Sequence, residues 1–514
     1  MQTHRPIARE GRAPLHAGEA GDAYCAPAAR PYVLAATILA SSMAFLDGTI
    51  VNIALPTIQR GLGADITSLQ WVVNGYLLML GALMLVGGGL GDRIGRRRVF
   101  SAGIVVFALA SIGCALAQDV GVLVAARIVQ GVGAALLVPQ SLALISANFP
   151  KAIRGRAIGT WAAASAMTTA LGPAIAGLLI DAFSWRIAFW INIPVAVAAI
   201  WLTGRYVPES RDETARGAVD WPGATLAVAG FGAITYGTIA IGAEDGGWLA
   251  GAGAVTAGIV LVALFVLAER RAANPVMPPA LFRSPVFTGG NIVTILLYGA
   301  LGGSMFLLPF DLLARRGLTT AEAGLTILPV GVIIGLMSRW MGGLADSYGP
   351  RPFLAGGPLL FALACVVLAL TPDNYWLGVL APMVALAIGL GILVSPLTTA
   401  VMNAVPEGRQ GAASGVNNAA SRLAGVFAIA IVGAVASLVY GARAPAGAPR
   451  FGILPAPDDA SRTATEAAFL SGYASGMGIV AAWALLAAIA AWITIPKEGT
   501  PRRNGPQSGA HREE

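Results

Sequence analysis

Two charged residues stand where the sequence is otherwise apolar. Asp47 lies inside the run 33–54, in Leu46-Asp47-Gly48-Thr49-Ile50-Val51-Asn52-Ile53-Ala54-Leu55-Pro56. Arg127 lies inside the run 121–147, in Arg127-Ile128-Val129-Gln130-Gly131-Val132-Gly133. Each run is long enough to cross a hydrocarbon core of about 30 Å as a helix. An aspartate at that depth costs about 2.5–3.5 kcal/mol on insertion scales, so such a residue is normally functional and faces a cavity. A carboxyl in a poorly hydrated setting is suited to reversible protonation near neutral pH. The plainer reading of Asp47 is a hydrogen-bond partner for neighbouring helices, with Thr49 and Asn52 satisfying it or gluing helices together. A fixed positive charge at Arg127 would tune a proton site, and Gln130 sits one turn along the same helix face. The plainer alternative is an arginine near the rim that snorkels to water.

Other chemistries have few candidates. The three histidines, His4, His16 and His511, lie in the tails, which argues against a metal site or imidazole chemistry within the apolar runs. The three cysteines are Cys25 in the N-terminal tail and Cys114 and Cys365 in apolar runs, a pattern that implies no disulfide framework. No nucleophile–base pair stands in the runs, so an enzyme is not expected.

The elements that must position Asp47 and Arg127 are membrane spans. Of 514 residues, 56% are hydrophobic and 11% charged, against about 25% charged in soluble domains. Fourteen apolar runs are expected to span: 33–54, 69–88, 99–117, 121–147, 157–181, 187–204, 222–243, 249–268, 286–313, 321–341, 353–371, 375–398, 411–440 and 471–495. Between the second and third stands Gly88-Gly89-Leu90-Gly91-Asp92-Arg93-Ile94-Gly95-Arg96-Arg97-Arg98. Four arginines in so short a link place it on the cytoplasmic side, and most Lys and Arg elsewhere fall on that same side. The net charge of +7 therefore marks topology rather than nucleic-acid binding. Asp92, the one acid of the link, calls for a partner arginine or the N-terminus of a neighbouring helix.

The chain repeats itself. Gly343-Leu344-Ala345-Asp346-Ser347-Tyr348-Gly349-Pro350-Arg351 matches Gly89–Arg97 at an offset of 254, and Pro150, Gly155 and Gly159 match Pro406, Gly411 and Gly415 at 256. Two halves in the same orientation, six spans each, are a transporter architecture with the substrate site between them. The expected divisions are a cytoplasmic tail 1–31, a first bundle 32–204, a linker with two extra spans 205–268, a second bundle 269–495 and a cytoplasmic tail 496–514. The outer loop 441–470, rich in Ala, Pro and Gly and carrying Asp458 and Asp459, reads as a flexible connection. Within the fifth span, Gly172-Pro173-Ala174-Ile175-Ala176-Gly177 bends the helix and leaves room for a neighbour. In the thirteenth, Asn418 and Arg422 form a polar stripe facing the cavity. Asp311, near the outer end of the ninth, reads as a solvated end residue or as a second proton or cation site.

At these residues the chain resembles the major facilitator superfamily and, more narrowly, its fourteen-span drug–proton antiporters. The turn matches at Gly89, Asp92, Gly95, Arg96 and Arg97. The first span matches at Asp47, Thr49, Asn52, Ala54, Leu55 and Pro56, and the fourth at Arg127, Gln130, Gly131 and Gly133. The antiporter motif matches at Gly172, Pro173 and Gly177, with Ala176 where a glycine is usual, and the thirteenth span matches at Asn418, Arg422 and Gly425. The ninth span departs, with Asp311 and Leu313 around Pro309 where an aromatic and a glutamine are usual.

The resemblance implies an all-α membrane protein of two six-helix bundles plus two inserted helices. It implies alternating-access export of small amphipathic drugs or antibiotics across the cytoplasmic (inner) membrane, driven by protons and without a cofactor or metal. Proton coupling falls to Asp47 and Arg127, and the conformational switch to Asp92, its turn and Asp346. Thr49, Asn52, Gln130, Asn418 and Arg422 are expected to line the substrate cavity. Both termini are expected inside, and the protein is expected to be monomeric, with no nucleic-acid partner. A proton-coupled or facilitative importer of a small metabolite is the alternative, against which the Gly172-Pro173 motif speaks.

Overall fold

The computed structural model describes residues 15–17, 23–211, 220–243, 247–272, 277–370, 373–406, 409–455 and 460–497. Most of the N-terminal tail, with Arg5, Arg9 and Arg12, lies outside the described residues, as do Asp458, Asp459 and the chain beyond 497.

Backbone polar groups have no water to bond in hydrocarbon, so each apolar run closes its own hydrogen bonds as a helix. Among the described residues, fourteen helices are long and apolar enough to cross a membrane. The first bundle holds α1 (Arg30–Leu62), α2 (Ile66–Ile94), α3 (Arg96–Leu116), α4 (Val120–Asn148), α5 (Lys151–Ala182) and α6 (Ile187–Tyr206). Next come α7 (Trp221–Ile241) and α8 (Trp248–Arg271). The second bundle holds α9 (Pro285–Arg315), α10 (Thr320–Tyr348), α11 (Arg351–Ala369), α12 (Trp376–Asn403), α13 (Gln410–Arg443) and α14 (Arg462–Thr494). The chain is thus an all-α membrane protein. Among the described residues the only strands are a three-residue pair ahead of α1, β1 (Leu15–Ala17) and β2 (Ala23–Cys25).

Polar residues stop and start the helices. Asp65 caps α2 by accepting from Ser68 N at 2.9 Å, and Asp119 caps α4 by accepting from Val122 N at 2.9 Å. Thr319 and Glu322 form a reciprocal capping box on α10. Helices also run past the apolar limits: α1 continues to Leu62, and α14 begins at Arg462 rather than near 471. The first turns of α14 are polar in sequence yet helical, because Thr465, Ala468 and Phe469 are buried against the rest of the bundle.

The repeat has a packing counterpart. Backbones of α3 and α4 touch at Gly103 and Gly133, where a Cβ on Gly133 would lie 3.0 Å from Gly103 O. Backbones of α11 and α12 touch at Gly357 and Gly389, where a Cβ on Gly389 would lie 2.6 Å from Gly357 O. The second pair stands at the repeat offsets from the first, so each half carries the same small-residue contact at the same place.

The halves meet along two seams, α5 with α10 and α2 with α13, and the inserted α7–α8 pair packs on α2 and α13. The side bearing Gly89–Arg98 is the basic face of the molecule, and the other is the opposite face. The segment after α13 lies on the opposite face and departs from the flexible connection expected of 441–470. Phe451 within it is 1% exposed, edge-on to Phe310 and Tyr440 and tilted against Phe469, so the described part is a strap anchored by an aromatic plug.

Candidate functional site

Asp47 and Arg127 meet. The Asp47 carboxylate accepts from Arg127 Nη1, and both side chains are sealed from solvent, at 0% and 1% exposure. Gln130 Nε2 donates to the other carboxylate oxygen at 2.9 Å, and Asn192 Nδ2 approaches it at 3.4 Å. Ser111 Oγ accepts from Gln130 at 2.8 Å and from Asn192 at 3.3 Å. Arg127 Nε donates to Val72 O at 2.9 Å, its Nη1 donates to Gln130 Oε1 at 2.6 Å, and its guanidinium lies 4.3 Å from the Tyr76 ring centre. Side chains from α1, α3, α4 and α6, with backbone and an aromatic face from α2, thus close one charged pair inside the first bundle. A buried pair needs such surrounding partners, because taking two charges out of water is costly.

The seams define the conformation. Near the opposite face, Asp181 at the end of α5 accepts from Thr320 N at 3.1 Å and from Ala321 N at 2.8 Å, placing its carboxylate on the N-terminus of α10. Gly177 packs on Thr320 and Ala321, Pro173 O on Gly324, and Ala170 on Gly331. Towards the basic face α5 and α10 separate: the stretch from Lys151 to Thr169 is largely exposed, and Gly155, Gly159, Gly335 and Gly343 have nothing within 4 Å. The α2–α13 seam is held by Gln70 Nε2 donating to Ile429 O and Ala430 O at 2.7 and 3.0 Å. Gln59 donates to Phe451 O at 2.9 Å, and Arg450 donates to Gly63 O at 2.5 Å, tying the strap to α1. The space between the halves is closed at the opposite face and opens towards the basic face.

The basic turn is built within the first half. Gly95 has φ 118°, a left-handed value that favours glycine, and a Cβ there would press on the Glu209 carboxyl at 2.7 Å. Asp92 pairs with Arg96 at 2.8 Å one turn on. Glu209 accepts from Arg97 N at 3.0 Å, Ser210 O accepts from Arg96 N at 2.8 Å, and Arg97 Nη2 reaches Gly204 O at 3.3 Å.

The Major Facilitator Superfamily profile matches residues 37–429. The chain belongs to that superfamily. It is 37% identical over 400 residues to a methylenomycin A resistance protein of Streptomyces coelicolor, covering 76% of this chain and 83% of that one. It is 33% identical over 473 residues, 90% of each chain, to a puromycin resistance protein of Streptomyces alboniger. A tetracenomycin C resistance and export protein of Streptomyces glaucescens is 32% identical over 406 residues, 79% of this chain and 76% of that one. Among solved structures, a bacterial homologue of the lysosomal transporter Spinster, inward-facing and unoccupied, superposes with a TM-score of 0.66. It is 17% identical and covers 91% of this chain and 97% of that one, a likeness of fold.

For this superfamily member several expectations change. Asp47 does not face a cavity: the packing of α1–α4 and α6 encloses it. Gln130 is not a cavity residue either, because both ends of its amide are spent on Asp47, Ser111 and Arg127. The snorkelling alternative for Arg127 fails on its burial. Thr49 donates to Leu46 O at 2.9 Å and packs under Gly172, so it serves the α1–α5 contact. Asn52 donates to Gly48 O at 3.4 Å, and its buried Oδ1 has no partner. Asn418 is exposed, while Arg422 lies 5.6 Å from the Phe45 ring centre across the halves, its buried Nε unpartnered.

Asp346 is exposed and has no hydrogen bond or ion pair among the described residues, because Pro350 stands where Asp92 finds Arg96. Asp311 is not a solvated end residue: its side chain is 2% exposed, clamped by Arg315 Nε at 2.5 Å and Arg316 Nε at 2.8 Å. The sequence reading missed Ser111, Asn192, Asp181 and Glu209. Glu209 carried a signal, as an acid in the polar link that returns to the basic turn. Ser111 and Asn192 carried none, since single small polar residues are common in spans.

Proposed function

We propose that this protein exports small amphipathic compounds across the cytoplasmic membrane by alternating access, coupled to inward proton flow through Asp47 and Arg127. The basic turn on the face to which the central space opens supports a cytoplasmic assignment for that face and a cytoplasmic position for both termini. The state described is then inward-open, ready to take substrate from the cell side. The relatives' resistance and export names support a compound exporter. The observation that carries the coupling is the single charged pair sealed in the first bundle. A proton on Asp47 would release Arg127 from its counter-charge, and the bundle would repack around that change. The Asp181 contact on α10, the Gln70 contacts on α13 and the strap are the closures that outward opening must break.

The test is accumulation of a fluorescent cationic dye in cells with and without the protein. Accumulation is expected to fall when the protein is present and to return to the control level when a protonophore collapses the gradient. A protonophore that lowers accumulation further would indicate import and contradict the reading.

A further inference from the structure

A cavity of about 260 Å³ lies outside the central space, between the inserted helices and the α2–α13 seam. Its walls come from five helices, through Leu85 of α2, Ala227 of α7, Phe265 of α8, Ile295 of α9 and Ala420 and Phe427 of α13. Among the described residues, its lining holds no charged side chain. The one amide among its described lining residues, Asn291, is already engaged: Nδ2 donates to Phe287 O at 2.8 Å and Oδ1 accepts from Asn417 at 3.2 Å. Such a space takes an uncharged apolar group, since its described lining offers no free polar group to hold another kind. At somewhat under the roughly 300–1,000 Å³ of drug-sized pockets, it suits a two- or three-ring body.

Its depth is set by its walls. They lie in the halves of α2, α7 and α8 towards the basic turn, from mid-helix outwards, so the cavity sits at the level of the leaflet adjoining the basic face. The inserted pair is rigid enough to make a wall. Gly230 and Gly237 of α7 lie against Gly258 and Gly251 of α8 at backbone contact, and Phe231 meets Phe427 edge-on at 5.9 Å.

One helix divides this cavity from the central space. The positions Ala420, Leu423 and Phe427 of α13 face the cavity, whereas Arg422 reaches Phe45 of α1 across the halves. The seam beside it is tight, since a Cβ on Gly81 would lie 3.1 Å from Arg422 Cβ and one on Gly415 would lie 2.5 Å from Leu85. Because the walls belong to both halves, any rearrangement of the halves changes the cavity, and its occupancy is thermodynamically linked to the transport state.

The geometry points to a second binding site, where the uncharged lipophilic body of an exported compound is held at inner-leaflet depth before it passes the α2–α13 seam. The inference rests on the export reading only for the source of its ligand. The inserted helices, which have no counterpart in the repeat, then have a use: they convert a bare seam into a lipid-side vestibule.

The test is photolabelling of the full chain in phosphatidylcholine–phosphatidylglycerol vesicles with benzophenone, an uncharged two-ring probe, without any gradient. Saturable labelling of Phe265, Val266 and Phe427 is expected. It should fall at least about fivefold in Ala227→Trp and in Ala420→Leu, which fill the cavity from separate helices. Leu264→Trp, on the exposed face of α8, should leave it unchanged. In a second arm, phosphatidylcholine with a diazirine at the end of an acyl chain should label exposed faces and spare those three residues. Labelling that rises linearly with probe, or that both filling variants leave intact, overturns the site. Acyl-chain labelling of the same residues, lost in both variants, assigns the cavity to lipid and also overturns it. The readout needs no transport, so failure of the export reading and failure of this site are told apart.

Discussion

The two halves repeat one architecture but fill it differently at one place. The repeat offsets carry Asp47 to Leu301, Arg127 to Met383 and Gln130 to Leu386. Met383 and Leu386 are fully buried in the apolar core, and Leu301 packs against it. The same fold position is therefore an ion pair in the first half and plain hydrocarbon in the second. The fold needs no charge there, since the second half is built without one. A buried pair is often no more stabilising than the apolar residues that could replace it. The pair in the first half is best explained by work that apolar packing cannot do, such as holding and releasing a proton.

That difference can be broken deliberately. Arg127→Met alone should have the largest effect. It strands the Asp47 carboxylate and should cost about 3–5 kcal/mol, seen as a large fall in thermal unfolding temperature and loss of transport. Met383→Leu at the matching place should cost less than about 1.5 kcal/mol and leave transport near normal. A sharper version gives the first half the residues of the second. Asp47→Leu with Arg127→Met and Gln130→Leu should recover most of the stability lost in Arg127→Met while remaining unable to pump. If the triple variant unfolds like the single one, the network is structural and the comparison fails.

A smaller effect is expected at the closure between halves. Asp181→Asn keeps shape and removes the charge facing the α10 N-terminus, a contact worth about 0.3–1 kcal/mol. Spin labels at the ends of α5 and α10 should report a several-fold rise in the separated population at the opposite face. An unchanged distance distribution would show that Asp181 does not hold the closure.

How much of this was legible in the sequence follows from the physics of each feature. Fourteen spans and the paired halves could be read because hydrocarbon demands long apolar runs and small residues at close contacts. Asp47 and Arg127 could be read because a charge in such a run is rare. Their partnership as a sealed pair, with Gln130 inside it rather than in the cavity, could not, since α1 and α4 have no sequence cue for their mutual rotation. Asp311 was misread for the same reason: its depth depended on two arginines folding back over it. The strap after α13 looked loose because Ala, Pro and Gly dominate it, and the burial of Phe451, with the Arg450 and Gln59 hydrogen bonds to and from α1, reversed that character.

Asp47 is the proposed proton site. The most direct measurement compares wild type and Asp47→Asn in proteoliposomes, following dye movement against its gradient under an imposed pH difference, with dye exchange at equal pH as the control. Asp47→Asn is expected to retain exchange and to lose all uphill movement. Uphill movement by Asp47→Asn at a rate comparable to wild type would rule Asp47 out and place the proton site elsewhere.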